Sequence, residues 1–224
     1  MESQGQAQQG FEGFRDSPDA LFYRSGAMSP QVTWAEATRR LMRVLDAATI
    51  DAESRATPMT LERICGWHRA VFLTTFESHA GRVREDHESV EFAVPIEIDG
   101  EMRDLPVRGT MGRSAILKDL STACEAFNTS SAVLRTRYGV VKAIEGATPA
   151  AALYAAILKT HPFLDGNLRA AYVALIVGLT SVGLPAVDFR AVLDRHDECL
   201  GWAMREDAQR TVGPLAMLIV ELAA

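Results

Sequence analysis

Nine consecutive residues hold most of the chemistry legible in this chain: His161-Pro162-Phe163-Leu164-Asp165-Gly166-Asn167-Leu168-Arg169. His161 is a base. Asp165 is a hard oxygen ligand. The backbone N–H groups around Gly166 and Asn167 stand at the start of a helix, where the helix dipole favours bound anions. Arg169, in the first turn, adds a positive charge with a planar fork of donors. A base, a carboxylate that suits Mg2+, an anion cradle and an Arg together equip a chain to move a phosphate-containing group. Taken singly, each residue has an ordinary explanation, such as a cation at a helix end or an Asp-Gly-Asn turn. At this spacing the turn leaves His161 and Arg169 as coincidences. Pro162 and Phe163 read as packing that fixes the loop.

Two flanking elements must position these residues. Thr148 to Thr160 and Leu168 to Ser181 both read as helix. Thr148-Pro149 predicts the start of the first, an N-cap followed by Pro at the first helical position. Leu153, Ala156, Ile157 and Thr160 give it a buried face that delivers His161 at its C-terminal end. The second is apolar almost all round, which predicts a place in the centre of a bundle.

Composition narrows the setting. Of 224 residues, 48% are hydrophobic and 23% charged, as in a globular protein with a substantial core. A net charge of −6 argues against a general nucleic-acid binder, so phosphate binding would be local. Cys65, Cys124 and Cys199 are scattered through helix-like runs, which points to reduced thiols. The N-terminus shows no apolar signal segment, and the longest apolar run, Ala170 to Leu179, is too short to span a bilayer. The expected location is cytoplasmic, with no membrane partner; delivery into another cell stays open.

Residues 1–30, rich in Gln, Gly and Ser, read as a mobile arm, and 31–224 as one domain. Thr33 to Ala48 is predicted as a helix capped by Thr33 and Glu36. Further helices are predicted over Thr60 to Phe76, Ser114 to Phe127, Asp188 to Met204 and Thr211 to Ala223. His68, on the first of these, reads as a structural or surface His rather than a ligand. Val90 to Val107 is the one strand region: Val90, Phe92 and Val94 alternate, then come Ile96, Ile98 and the turn pair Asp99-Gly100, a hairpin signal. Pro95 and Pro106 suit an edge or a lone ribbon. The predicted fold is mainly α with one β-hairpin.

The nine-residue stretch resembles the signature of the Fic family, His-x-Phe-x-(Asp/Glu)-(Gly/Ala)-Asn-(Gly/Lys)-Arg-x-x-Arg, at His161, Phe163, Asp165, Gly166, Asn167 and Arg169. Upstream, His68, Phe72, Ala80, Gly81 and Arg84 stand in the family's order. The resemblance runs from about Thr57 to the C-terminus. It implies a Fic-fold helical bundle with a β-hairpin flap. It also implies a protein nucleotidyltransferase that moves AMP from ATP, with Mg2+, onto a Ser, Thr or Tyr hydroxyl of a target protein. His161 would be the catalytic base and Asp165 the metal ligand. Gly166 and Asn167 would bind the reacting phosphate and Arg169 a non-transferred one. Val90, Phe92, Val94, Ile96 and Ile98 would form the flap on which a target strand docks by β-augmentation.

Two positions depart from the signature. Leu168 stands where Gly or Lys is usual and is expected to crowd the phosphates. Tyr172 replaces the second Arg, which in many relatives pairs with an inhibitory Glu. No full inhibitory motif occurs; the nearest copies are Thr49…Glu53-Ser54 and Ser121…Glu125-Ala126. Doc-type toxins also lack the second Arg and act as kinases, but carry Lys at the place of Leu168. Three readings stay open, in this order. They are an AMP transferase, a Doc-like phosphotransferase or user of another donor, and a Fic-fold binding module whose phosphate site Leu168 and Tyr172 have closed. A toxin or effector role, with a separate antitoxin or regulator, fits the same resemblance.

Overall fold

The computed structural model describes residues 34–53, 57–73, 78–98, 101–136, 143–205 and 208–224. The arm expected over residues 1–30 lies outside them, as does Thr33. Among the described residues there are eight helices and one antiparallel hairpin. They are α1 (Trp34–Glu53), α2 (Leu61–Phe72), β1 (Glu91–Ile98), β2 (Glu101–Arg108), α3 (Arg113–Thr136), α4 (Ala143–Thr160), α5 (Asn167–Ser181), α6 (Phe189–Asp194), α7 (His196–Met204) and α8 (Ala208–Leu222). The expected mainly helical architecture with one hairpin is what forms.

Helix α5 is the axis of the bundle. Every side chain from Asn167 to Leu179 is buried, as an all-round apolar sequence requires. Helix α4 lies along α5, and α1 and α2 pack on it as well. Small buried residues on both partners, Ala150 and Ala151 on α4 and Ala170, Ala171 and Ala174 on α5, let the two backbones approach closely. Helices α3, α7 and α8 close around the far side of α4. Helix α1 buries Ala37, Leu41, Leu45, Ala48 and Ala52, one face at helical spacing, and so runs a turn past the expected Ala48. Helix α2 starts where Thr60 caps it, its hydroxyl accepting from the Arg63 N–H. In the hairpin, Ile98 pairs with Glu101, and the expected turn pair Asp99-Gly100 lies outside the described residues.

Several expected boundaries are corrected. Helix α3, expected over Ser114 to Phe127, runs from Arg113 to Thr136, and α8, expected from Thr211, begins at Ala208. Helix α4 does not begin at Thr148. It is already formed at Ala143, with Pro149 inside it and the Thr148 hydroxyl donating back to the Ile144 carbonyl at 2.7 Å. A Thr hydroxyl bonds backward along a helix as readily as forward from its cap, and sequence does not separate the two. The single helix expected over Asp188 to Met204 is two. Asp188 caps α6, and the chain breaks at Arg195, whose guanidinium pairs with Glu198 and Glu221. No described helix is long and apolar enough to cross a membrane. The three cysteines are free thiols, Cys124 and Cys199 buried and Cys65 half-buried.

Candidate active site

Helix α4 ends by turning His161 out of line. The His161 N–H still donates to the Ile157 carbonyl at 3.0 Å, but its φ of 45° is left-handed. Among the described residues no other non-glycine has a positive φ, and His tolerates that region better than most side chains do. The helix end leaves carbonyls without donors, and Arg84 takes them. Its Nε donates to the His161 carbonyl at 2.6 Å. Its Nη2 reaches the carbonyls of Thr160 at 3.0 Å and Thr110 at 2.5 Å, and its Nη1 that of Glu88 at 2.8 Å. The Arg84 N–H adds a bond to the Pro162 carbonyl at 2.9 Å. Burial lowers the pKa of this guanidinium, the Glu88 carboxylate acting the other way. Gly109, just past β2, crosses this cluster. A Cβ there would stand 2.8 Å from both Arg84 Nη2 and His161 Cβ, so only Gly passes.

The His161 ring has a defined state. Its Nδ1 is hydrogen-bonded to the Leu158 carbonyl. A carbonyl only accepts, so Nδ1 carries a proton, and in the neutral ring the lone pair is on Nε2. The Phe92 ring stacks on the imidazole at 3.8 Å between centroids and 10° between planes. The hairpin thus sits directly on the candidate base.

The loop after His161 is braced from inside. Asn167, the first residue of α5, makes two bonds to one residue: Oδ1 accepts from the Phe163 N–H and Nδ2 donates to the Phe163 carbonyl, both at 2.9 Å. Its side chain therefore closes the loop, and its share in anion binding falls to the backbone. Gly166 adopts φ 75° at the N-cap of α5. A Cβ there would lie 2.3 Å from the Phe72 ring, so packing and backbone both demand Gly. The Gly166 N–H donates to Asp165 Oδ1, and Asp165 itself is half-buried at the loop's apex.

His68 supports the loop from α2. Its Nδ1 accepts from the Gly81 N–H at 2.9 Å, and its Nε2 faces the Asp165 carbonyl at 2.8 Å. One donor and one acceptor across the ring fit only a neutral imidazole with the proton on Nε2. The ring stacks on Phe163 at 3.8 Å and 14°. Burial pushes the His68 pKa down to about 4, the Asp165 carbonyl opposing. The unfolded chain, with a pKa near about 6.5, binds a proton through the interval in which the fold refuses it. Stability from this residue is complete above that value and is lost as pH falls toward 4. Denaturant unfolding should lose about 2.5 kcal/mol more between about pH 7 and about pH 4.5 in the wild type than in His68→Phe. Equal pH slopes would refute the buried neutral state.

Arg169 lies beneath the loop, 2% exposed, its guanidinium 5.9 Å from the Phe72 ring centroid and 6.0 Å from that of Phe189. Burial lowers its pKa to about 10 while the Asp165 charge acts the other way, so it stays a cation at neutral pH. Leu168 does not crowd the loop as expected. It is 9% exposed and part of the hydrophobic core. Tyr172 likewise faces inward, its hydroxyl donating to the Val187 carbonyl at 2.6 Å. Of the five flap residues, Phe92 and Val94 are buried and Val90 is half-buried, while the side chains of Ile96 and Ile98 lie outside the described residues.

The structure thus joins His161, Asp165, Gly166, Asn167 and Arg169 at the α4–α5 junction, the first three in the loop and its caps and the last two in the first turn of α5. Sequence reasoning did not give Arg84, Gly109 or the Phe92 stack a place beside His161, and it left His68 without a partner. The ordered set His68, Phe72, Gly81 and Arg84 was the available signal.

The family model for the Fic/DOC family matches residues 58–179. Among curated proteins none matches. Several solved structures share the fold. A Fic domain containing signaling protein from Bacteroides thetaiotaomicron aligns with a TM-score of 0.60 at 16% identity, over 96% of this chain and 81% of that one. Fic-1 from C. elegans aligns at 0.54 and 18% identity, over 95% of this chain and 56% of that one. BepC, a VirB-translocated effector protein from Bartonella tribocorum with bound AMPPNP, aligns at 0.52 and 20% identity, over 86% and 90%.

Proposed function

The chain belongs to the Fic/DOC family, and from that premise we propose that it is a protein nucleotidyltransferase, moving AMP from ATP onto a Ser, Thr or Tyr hydroxyl of a target protein. The observation that carries this reading is the state of His161. Its Nδ1 proton is committed to the Leu158 carbonyl, so Nε2 is the nitrogen that acts as base in the neutral ring, in the loop that leads into α5. Nε2 takes the proton of the attacking hydroxyl. The hydroxyl oxygen bonds to the α-phosphorus of ATP, and pyrophosphate leaves. Charge on the phosphate is met by the N–H groups of Asn167 and, once Asp165 Oδ1 releases it, Gly166, by the helix dipole and by the fixed cation of Arg169 behind them.

Asp165 is the residue that would hold Mg2+. Among the described residues no group of three or more His, Cys, Asp or Glu could cage a metal. Asp165 is half-buried, its Oδ2 shielded from solvent, and one carboxylate beside an anion site suits Mg2+, which is commonly shared between a carboxylate and substrate phosphates. When bound, the ion would supply charge neutralisation to those phosphates.

Leu168 and Tyr172 turn into the core, which favours an open phosphate site over the closed binding module. Phe92 and Val94 anchor the hairpin, so target docking at the flap would use the backbone edge of a strand rather than these side chains. A target protein, a separate regulator and a cytoplasmic setting rich in ATP complete the reading. BepC, with its bound AMPPNP, lends it support by analogy of fold.

ATP labelled on the α-phosphate or the γ-phosphate discriminates the readings. Incubated with the protein, Mg2+ and a cell lysate, α-label on protein is the expected result. Transfer of γ-label instead would replace AMP transfer by a Doc-like phosphotransfer. Transfer of neither would overturn the proposal.

A further inference from the structure

We propose that His68 is a positioning residue for the reaction, holding the Asp165–Gly166 peptide in the one orientation that keeps the Gly166 N–H on the Asp165 carboxylate side of the loop, ready to pass to the phosphates when that carboxylate turns to Mg2+. This rests on the transferase reading above. A trans peptide is planar, with its C=O and N–H pointing in opposite directions. The carbonyl of this peptide accepts from His68 Nε2 at 2.8 Å, on the side of α2. Its N–H, on Gly166, therefore faces the other way, where it meets Asp165 Oδ1. Gly166 is the residue at which such a peptide flips most easily, since Gly populates both signs of φ. A flip would turn a carbonyl oxygen toward the phosphates and remove a donor.

His68 is built to resist that flip. Its Nδ1 is tied to the Gly81 N–H, so the ring cannot rotate without losing a bond. Its face is held against Phe163, and Phe72 leans on it at 4.8 Å between centroids. The residue thus joins α2, the segment after it and the catalytic loop, 97 positions apart in sequence. It touches no reacting atom and acts through the Asp165 carbonyl.

The two ring nitrogens can be imitated separately. The amide nitrogen of Gln reaches the place of Nε2, and the amide oxygen of Asn reaches the place of Nδ1. His68→Gln keeps a donor for Asp165, whereas His68→Asn keeps only the acceptor for Gly81. His68→Phe keeps the stack and neither bond. We expect His68→Phe and His68→Asn to lose about 10–100-fold in kcat with Mg2+ and ATP at saturation. His68→Gln should regain most of it, with thermal midpoints of the Gln and Asn variants alike. Equal kcat in the Gln and Asn variants, or losses that follow the thermal midpoint, would overturn the role.

Amide hydrogen exchange supplies a readout that needs no activity. The Gly166 and Asn167 amides should exchange faster in His68→Asn and His68→Phe than in the wild type and His68→Gln. Equal rates across the four proteins refute the positioning role. A wild type that transfers nothing while showing the expected exchange pattern would refute the transferase reading alone.

Discussion

Replacing His161 with Ala lowers transfer by about 10²–10⁴-fold, the span that a positioned general base contributes. The fold should survive, because the ring is only half-buried and its stack on Phe92 is worth about 0.5–1.5 kcal/mol beyond area burial. Ala adds a complication: at φ 45° it is strained by about 1–2 kcal/mol. His161→Asn removes this ambiguity. Asn accepts the left-handed region and cannot serve as a base. Both variants should be equally inactive in a transfer assay with ATP and Mg2+. An Asn variant with near wild-type turnover would show that the residue is needed for its backbone shape and not for its imidazole.

Arg84→Met should be the most damaging single change to stability. Four carbonyl oxygens accept from this one guanidinium, those of Glu88, Thr110, Thr160 and His161. An orphaned buried acceptor costs about 1–3 kcal/mol, so roughly 4 kcal/mol or more is at stake. That is comparable with the whole stability of many domains, about 5–15 kcal/mol. Arg84→Lys should recover part of it, because an ammonium donates but lacks the planar fork. Chemical denaturation measures both. A loss under about 1 kcal/mol for the Met variant would mean that water satisfies these carbonyls.

These two residues also mark where the sequence was legible. The loop and its order were plain, because His161, Asp165, Gly166, Asn167 and Arg169 lie within nine positions and local chemistry names them. The bundle's central helix followed from apolar residues on all sides of α5, and the hairpin from the alternation of Val90, Phe92 and Val94. What holds the loop was not legible. Arg84 reaches His161 across 77 positions, and Phe92 meets it from a separate strand. No periodicity encodes such contacts; they exist only once α2, the hairpin and α4 are assembled. Leu168 shows the converse error. Its place in the motif suggested the phosphate site, but its place on an apolar helix sent it to the core.

Intact-mass analysis tests the central claim most directly. The wild type and His161→Ala would each be incubated with Mg2+, a mixture of nucleoside triphosphates and a cell lysate. We predict a gain equal to one AMP, on the protein itself or on a lysate protein, present with the wild type and absent with His161→Ala. A gain of a single phosphate would contradict nucleotide transfer. The same gain with both proteins, or none together with no nucleotide binding by calorimetry, would contradict His161-dependent catalysis.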